Sequence, residues 1–182
     1  MSGDRYKITD QNGIHFCTIT VVDWIDIFTR MEYRDIIVES LKYCISSKGL
    51  ELYSWVIMSN HIHLIGSVSP PHKFSNFLRD FKKFTSKEIV KEINRINESR
   101  REWLLDRFSF QARKTQRARN YKIWKDSNHC IEIDSSIDIW EKIHYIHENP
   151  LRNGLVDEPE DYRYSSARDY INSNGLLDII VI

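Results

Sequence analysis

Two runs rich in apolar residues, Leu52 to Met58 and His61 to Val68, are separated only by Ser59 and Asn60. So short a connection can join two strands only as an antiparallel pair, because a parallel return needs a crossover of about a dozen residues. An antiparallel sheet is therefore the centre of whatever fold this chain adopts. Upstream, Ile14 to Val21 is rich in β-branched residues and reads as a strand. From Tyr33 to Ser47, Ile36, Ile37, Leu41 and Cys44 recur at helical spacing, and Gly49 gives a stop signal. Beyond the break at Pro70-Pro71, Phe74, Phe77, Leu78, Phe81 and Phe84 mark a long amphipathic helix running to about Ile96. The polar stretch from Asn94 to Glu102 reads as the end of that helix or a mobile loop, and Tyr121 to Trp124 as a further short strand. Ile137 to Glu148 reads as a helix, with Ser135 and Ser136 as caps and Asn149-Pro150 as its stop. The order β-α-β-β-α-β-α predicts an α+β fold: a ferredoxin-like (RRM-like) sandwich, its antiparallel sheet covered by helices on one face.

A chain of 182 residues fits one domain, with residues 157–182 as a C-terminal tail. No apolar run reaches the roughly 18 residues that span a bilayer, so no membrane partner is expected. The opening Met1 to Asp10 is polar and mixed in charge, unlike a secretory signal. Cys17, Cys44 and Cys130 are odd in number and far apart, which argues against a disulfide framework and against a zinc knuckle, and suits a reducing cytoplasm.

The formal net charge is 0, which by itself speaks against a nucleic-acid partner. Its distribution speaks for one. Up to Leu78 there are 7 basic against 8 acidic residues; from Arg79 to Lys125, 15 against 6; from Asp126 onward, 4 against 12. Within the basic middle, Arg113, Lys114, Arg117 and Arg119 occur with no acid between them, flanked by Phe108, Phe110, Tyr121 and Trp124. A solvated charged helix would also look like this. Cations interleaved with aromatics are equally suited to holding phosphates and stacking bases.

Two short motifs carry chemistry. His61 and His63 bracket Ile62 in a predicted strand, so both imidazoles project to one face, about 7 Å apart along the strand, while Ile62 enters the other. Such a pair can converge on a metal ion, although the same triplet also occurs in strands that bind none. Tyr145 and Asn149 stand four apart, one turn along a single helix face. The phenol can act as a nucleophile and the amide oxygen as a hard metal ligand. A packed tyrosine and a helix-ending asparagine would give the same letters.

Together the motifs say more. Trp55 to Ile65 (WVIMSNHIHLI), followed by Tyr145 to Val156 (YIHENPLRNGLV), resembles the single-tyrosine HUH transposases, named for histidine, hydrophobic residue, histidine. These are the small insertion-sequence transposases and the REP-associated tyrosine transposases. The later Asp161 to Tyr170 (DYRYSSARDY) looks like the REP-associated branch. The resemblance runs from about Gly13 to Tyr170, with two departures: Ser59 where proline is common and Asn153 where a small residue is common.

The resemblance implies a ferredoxin-like fold and a metal-dependent enzyme that cleaves and rejoins single-stranded DNA, often beside a hairpin, through a 5′-phosphotyrosine with release of a 3′-hydroxyl. By motif position, His61 and His63 match the metal-binding pair, Asn149 the third ligand and Tyr145 the nucleophile. The metal would be Mg2+ or Mn2+. Lys82 and Lys83 on the long helix, with Arg113, Lys114, Arg117, Arg119 and Arg152, are the expected DNA contacts. Insertion-sequence relatives work as dimers and some REP-associated ones look monomeric. Strand exchange needs two cleavages and this chain offers one matched tyrosine, which favours a homodimer. The expected place of work is the cytoplasm of a prokaryotic cell, at the nucleoid. Two other classes stay open: a catalytically inactive nucleic-acid-binding module on the same fold, and a metal-dependent hydrolase that uses water as its nucleophile.

Overall fold

The computed structural model describes residues 8–171 and 174–182. The polar opening read above lies, up to residue 7, outside the described residues. Four strands, β1 (His15–Thr20), β2 (Leu50–Ile57), β3 (His61–Val68) and β4 (His129–Glu132), form one sheet in the order β2-β3-β1-β4. Every neighbouring pair is antiparallel. Among the described residues four α-helices accompany it: α1 (Met31–Ser47), α2 (Phe74–Arg95), α3 (Arg101–Thr115) and α4 (Ile139–Arg152). This is the α+β, ferredoxin-like arrangement expected from the order of the elements, built around the antiparallel pair that the hairpin requires.

The register sorts side chains into two faces. Thr18 lies opposite His63, Thr20 opposite His61 and Phe16 opposite Ile65, so these six share one face. His15, Cys17, Ile19, Ile62 and Leu64 share the other, where His15 stacks on Phe74 of α2 at 4.5 Å. The expected cover of one face holds for α2 and for α1, which packs beside it. The helix α4 departs from that expectation. It lies across the histidine face, where Tyr145 meets Phe16 at 6.0 Å and His147 reaches Ser54 of β2 at 3.2 Å.

Four other expectations need correction. The stretch Asn94 to Glu102 is not simply a helix end or loop: α3 begins at Arg101, and Leu104, Phe108, Gln111 and Ala112 are buried at helical spacing among charges that hide the pattern. Tyr121 to Trp124 is not a strand; only Trp124 makes a bridge, to Val21. Its backbone bonds elsewhere, Lys122 N donating to Phe108 O and Val22 N to Ile123 O, at 3.0 and 2.8 Å. The last helix is capped by Asp138, which accepts from Trp140 N at 2.9 Å, rather than by Ser135 or Ser136. It also runs through Pro150, because a proline in the last turn forfeits only one donor and Gly154, at φ 67°, ends the helix just beyond.

The fourth concerns the cysteines. Cys17 and Cys130 face each other directly across β1 and β4 and form a disulfide, leaving Cys44 as the free thiol among the described residues. They are 113 residues apart in sequence, so only the strand pairing brings them together. The C-terminal tail is also built into the fold. Tyr162, Tyr164, Ser165 and Ser166 are buried, and Ile57 N donates to Tyr164 O while Ser166 N donates to Trp55 O along the free edge of β2.

Candidate active site

Strand β3 presents His61 and His63 toward α4 with ring centroids 4.6 Å apart. His63 is buried, stacks on Phe16 at 5.6 Å and meets the ring of Tyr145 edge-on at 5.4 Å. Two histidines and the tyrosine, 82 or more residues apart in sequence, thus form one cluster within a single chain.

The partners of the imidazoles decide which nitrogen is left for a ligand. His61 Nδ1 lies 2.7 Å from Asn60 Oδ1. The amide nitrogen of that same Asn60 donates to Trp24 O at 3.2 Å, which fixes the amide's orientation. Asn60 Oδ1 can only accept, so Nδ1 of His61 carries the proton and Nε2 keeps its lone pair. His63 Nδ1 lies 2.9 Å from the Thr18 hydroxyl, which can donate or accept, and its Nε2 has no hydrogen-bond partner among the described residues. Burial holds both imidazoles below the usual histidine range. For His63, burial together with the nearby His61 and His129 brings the pKa down to about 3. Both rings are neutral near pH 7, the form that ligates metals.

Tyr145 is partly exposed, with the Arg152 guanidinium 5.4 Å from its ring centroid. Its hydroxyl has no hydrogen-bond partner among the described residues. That separates it from most other tyrosines. Tyr162 donates to Ile57 O, Tyr164 to Asp35, Tyr170 to Tyr53 O and Tyr33 to Glu98, while Tyr53 sits between Glu51 and Ser67. Tyr6 lies outside the described residues. Asn149, one turn on from Tyr145, is buried, and its Oδ1 has only a long 3.4 Å approach from Asn153 Nδ2.

What holds α4 in place was not foreseen. His147 points away from the exposed side and is buried, 2.8 Å from Ser166 Oγ and 3.2 Å from Ser54 Oγ. Ser166 Oγ in turn accepts from Trp55 N at 2.9 Å. Burial lowers the His147 pKa to about 4, so the ring bonds as a neutral group. This polar lock ties helix, strand and tail at one point, two residues from both Tyr145 and Asn149. The Ser-Ser pair in the tail was the available sequence signal.

The expected DNA contacts divide into three places. Lys82, Lys83, Arg117 and Arg119 line one cleft of about 880 Å³ between α2 and the segment after α3, and Tyr121 lines it too. Lys82 is partly committed: Nζ donates to Lys125 O at 2.7 Å, and burial lowers its pKa to about 8. Arg113 and Lys114 stand exposed at the end of α3, outside that cleft, with Arg113 donating to Ser109 Oγ at 2.7 Å. Arg152 lies over Tyr145 and pairs with Glu148. Of the flanking aromatics, Phe108 and Trp124 are buried in the core and cannot stack on a base. No helix among the described residues is long and apolar enough to cross a membrane.

A family model described as "Transposase IS200 like" matches residues 14–116, a stretch that contains His61 and His63 and ends before Tyr145 and Asn149. Among solved structures, the chain is similar to a REP-associated tyrosine transposase bound to a REP hairpin, with 18% identity, a TM-score of 0.60, and coverage of 100% of this chain and 95% of that one. At that identity the likeness is one of fold. A protein of Deinococcus radiodurans R1 described as a transposase aligns with 15% identity and a TM-score of 0.47 over 82% of this chain and 96% of that one. No curated protein matches the chain.

Proposed function

This chain belongs to the IS200-like transposase family, whose model spans more than half of it, and we propose that it cuts and rejoins single-stranded DNA through a covalent link to Tyr145. The observation that carries this reading is the free Tyr145 hydroxyl on a ring packed edge-on against His63. The Tyr145 oxygen attacks phosphorus, the bond from phosphorus to the 3′-oxygen breaks, and the 3′-hydroxyl leaves with a proton. The tyrosine proton passes to solvent. The new phosphotyrosine preserves the energy of the broken phosphodiester, so a second 3′-hydroxyl can reverse the step without ATP. Arg152 is placed to steady the charge that gathers on the phosphate.

The residues present fit a divalent metal. His61 and His63 are neutral, each with Nδ1 engaged and Nε2 left to bind, and Asn149 adds a lightly held amide oxygen. Among the described residues no three His, Cys, Asp or Glu side chains gather at one point, and we take the Asn149 amide oxygen as the third protein ligand. Imidazoles suit Mn2+ better than Mg2+, and cellular abundance favours Mg2+. Bound there, the metal would withdraw charge from a phosphate oxygen.

The DNA is read as a single strand beside a hairpin, a reading supported by the REP hairpin bound to the REP-associated tyrosine transposase of similar fold. Its phosphates follow the cleft of Lys82, Lys83, Arg117 and Arg119, with Arg113 and Lys114 at the rim. The whole chain acts as one catalytic domain, its tail bracing α4, and pairs of chains supply the two cleavages that exchange requires. That substrate places its work in the cytoplasm, at the nucleoid.

The test is a denaturing gel with a labelled hairpin carrying single-stranded flanks, in Mn2+. A covalent band is expected from the unmodified chain and none from Tyr145→Phe, which loses only the hydroxyl and keeps its fold. Mass spectrometry should place the nucleotide on the peptide from Ile143 to Leu151. Cut DNA without an adduct would favour water as nucleophile, and binding without cutting an inactive module. A nucleotide on Tyr162 or Tyr164 would move the nucleophile.

A further inference from the structure

The loop after β1 carries two successive non-glycine residues in the left-handed region, Asp23 at φ 52° and Trp24 at φ 56°. For bulky residues this conformation is uncommon and strained, so the surroundings must enforce it. They do. Asp23 accepts from Arg107 Nη2 at 2.7 Å and from Gln111 Nε2 at 2.8 Å. Val21 N donates to Asn60 O at 2.9 Å, and Trp24 O accepts from Asn60 Nδ2 at 3.2 Å.

The enforced turn does not bury the indole. Trp24 is 59% exposed, the most exposed large hydrophobic side chain among the described residues. A tryptophan held outward at a strained position spends stability to present a flat aromatic face to solvent. Its surroundings suggest what that face meets. Lys125 Nζ lies 3.7 Å from the ring centroid, and Lys125 also lines the large basic cleft. A smaller hollow of about 370 Å³ beside it is lined by Arg117, Lys122 and Lys125, with Asp23 and Asp126. Both acids are already paired, Asp23 with Arg107 at 2.7 Å and Asp126 with Lys122 at 2.5 Å. In the other direction, the carbonyl of Trp24 is one asparagine side chain from His61. Trp24 thus touches both regions by different parts: its ring lies on a lysine of the basic cleft, and its carbonyl is joined through Asn60 to His61.

We propose that Trp24 is a stacking platform for a nucleobase of the single DNA strand as it passes from the basic cleft to His61 and His63. This rests on the strand-transfer reading above. One indole face carries the lysine; the exposed remainder offers a base the π-surface that every nucleobase can use. Because Asn60 joins the Trp24 carbonyl to the His61 ring, a base seated there also braces the loop that orients the histidine.

The test separates base stacking from phosphate charge. The probes are a fluorescein-labelled oligothymidylate of about 20 nucleotides and an abasic strand of equal length, titrated at one salt concentration. The unmodified chain should prefer the thymidine strand. Trp24→Ala should lose about tenfold of its thymidine affinity while leaving abasic affinity unchanged, and Trp24→Phe should stay within about threefold of the parent. Trp24→Leu keeps apolar bulk without a π-face, so it should bind like the alanine variant and melt like the parent. A thymidine-to-abasic ratio in Trp24→Leu equal to the parent's overturns the platform, as does a parent with no preference. The adduct at Tyr145 is scored separately. An adduct with an unchanged ratio defeats the platform alone, and a changed ratio without any adduct defeats the strand-transfer reading alone.

Discussion

Strand β3 shows two regions of the molecule side by side. Ile62 and Leu64 are fully buried on the face that α2 covers, while His61 and His63 look toward α4. Backbone and neighbouring strands are common to both sets, so the difference lies in what each face meets. Aliphatic side chains are held by close packing, which resists changes of volume. The imidazoles are held by single directional partners, Asn60 and Thr18, and keep one nitrogen each uncommitted. A two-residue side-chain period lets one strand anchor the core and present the chemistry, with different residues answering for each.

The sharpest way to break that division is to alter one face at a time. His61→Ala should lower cleavage by at least about a thousandfold while shifting stability by no more than about 1 kcal/mol. Chelating the divalent metal should silence the unmodified chain as fully. Leu64→Ala should cost about 2–5 kcal/mol in chemical denaturation, and its folded fraction should cut at the parental rate. Normal cutting by His61→Ala with metal present would remove the histidines from the site. A melting point for it as low as that of Leu64→Ala would show that the two faces are not separable.

A second contrast is between the histidine–tyrosine cluster and the basic cleft, which on the proposed reading engage DNA by different means. Reversing Arg117 and Arg119 to glutamate should weaken single-strand binding ten- to hundredfold near 0.1 M salt and flatten the salt dependence by roughly 0.7 per lost phosphate contact. Adducts should still form at high DNA concentration. Unchanged affinity and slope would send the strand along another path.

Legibility followed the same contrast. The hairpin, both histidines and the helix carrying Tyr145 could be read because each depends on local spacing, and His61 to Val68 matches β3 residue for residue. Features that depend on what a residue meets across the fold could not. Cys17 and Cys130 are joined only once β4 lies beside β1. Helix α3 was obscured because Arg and Lys fill its exposed positions, while Leu104 and Phe108 alone mark its buried side up to Gln111. Asn60 reads as an ordinary turn residue; that it orients His61 follows from tertiary placement. His147 reads as one more histidine near the tyrosine, and only the tail's return along β2 gives it Ser166.

That lock on α4 makes a third prediction, smaller in size. Ser166→Ala removes a partner from His147 and from Trp55 N. Freed at that point, α4 should let Tyr145 and Asn149 wander, lowering kcat roughly fivefold with KM nearly constant. The loss of a buried hydrogen-bonded hydroxyl should cost about 1–3 kcal/mol. A stability loss with kcat unchanged would make the lock purely structural.

The smallest effect on function is expected at a buried polar group remote from the chemistry, Glu98, whose side chain is 1% exposed. Burial alone would push its carboxyl up. The Arg100 backbone N–H, the Tyr33 hydroxyl and the Arg30 and Arg100 guanidiniums outweigh that and hold it below the usual carboxylate range. Arg100 N and the Tyr33 hydroxyl both donate at 3.0 Å, and Arg30 Nε lies at 2.9 Å. The sign follows from proton counts. Below about pH 4.3 the unfolded chain takes up a proton at this position before the folded chain does, so stability is lost as pH falls through that window and is fully present above it. Glu98→Gln keeps the shape and removes the charge. It should lower stability near neutral pH by about 1–3 kcal/mol, and the gap between parent and variant should shrink as the solution is acidified toward about pH 3. Cleavage near neutral pH should stay at the parental rate. A gap that does not change with pH would show that the carboxylate gains nothing from its cationic partners, and reduced cleavage would tie the turn between α2 and α3 to the site.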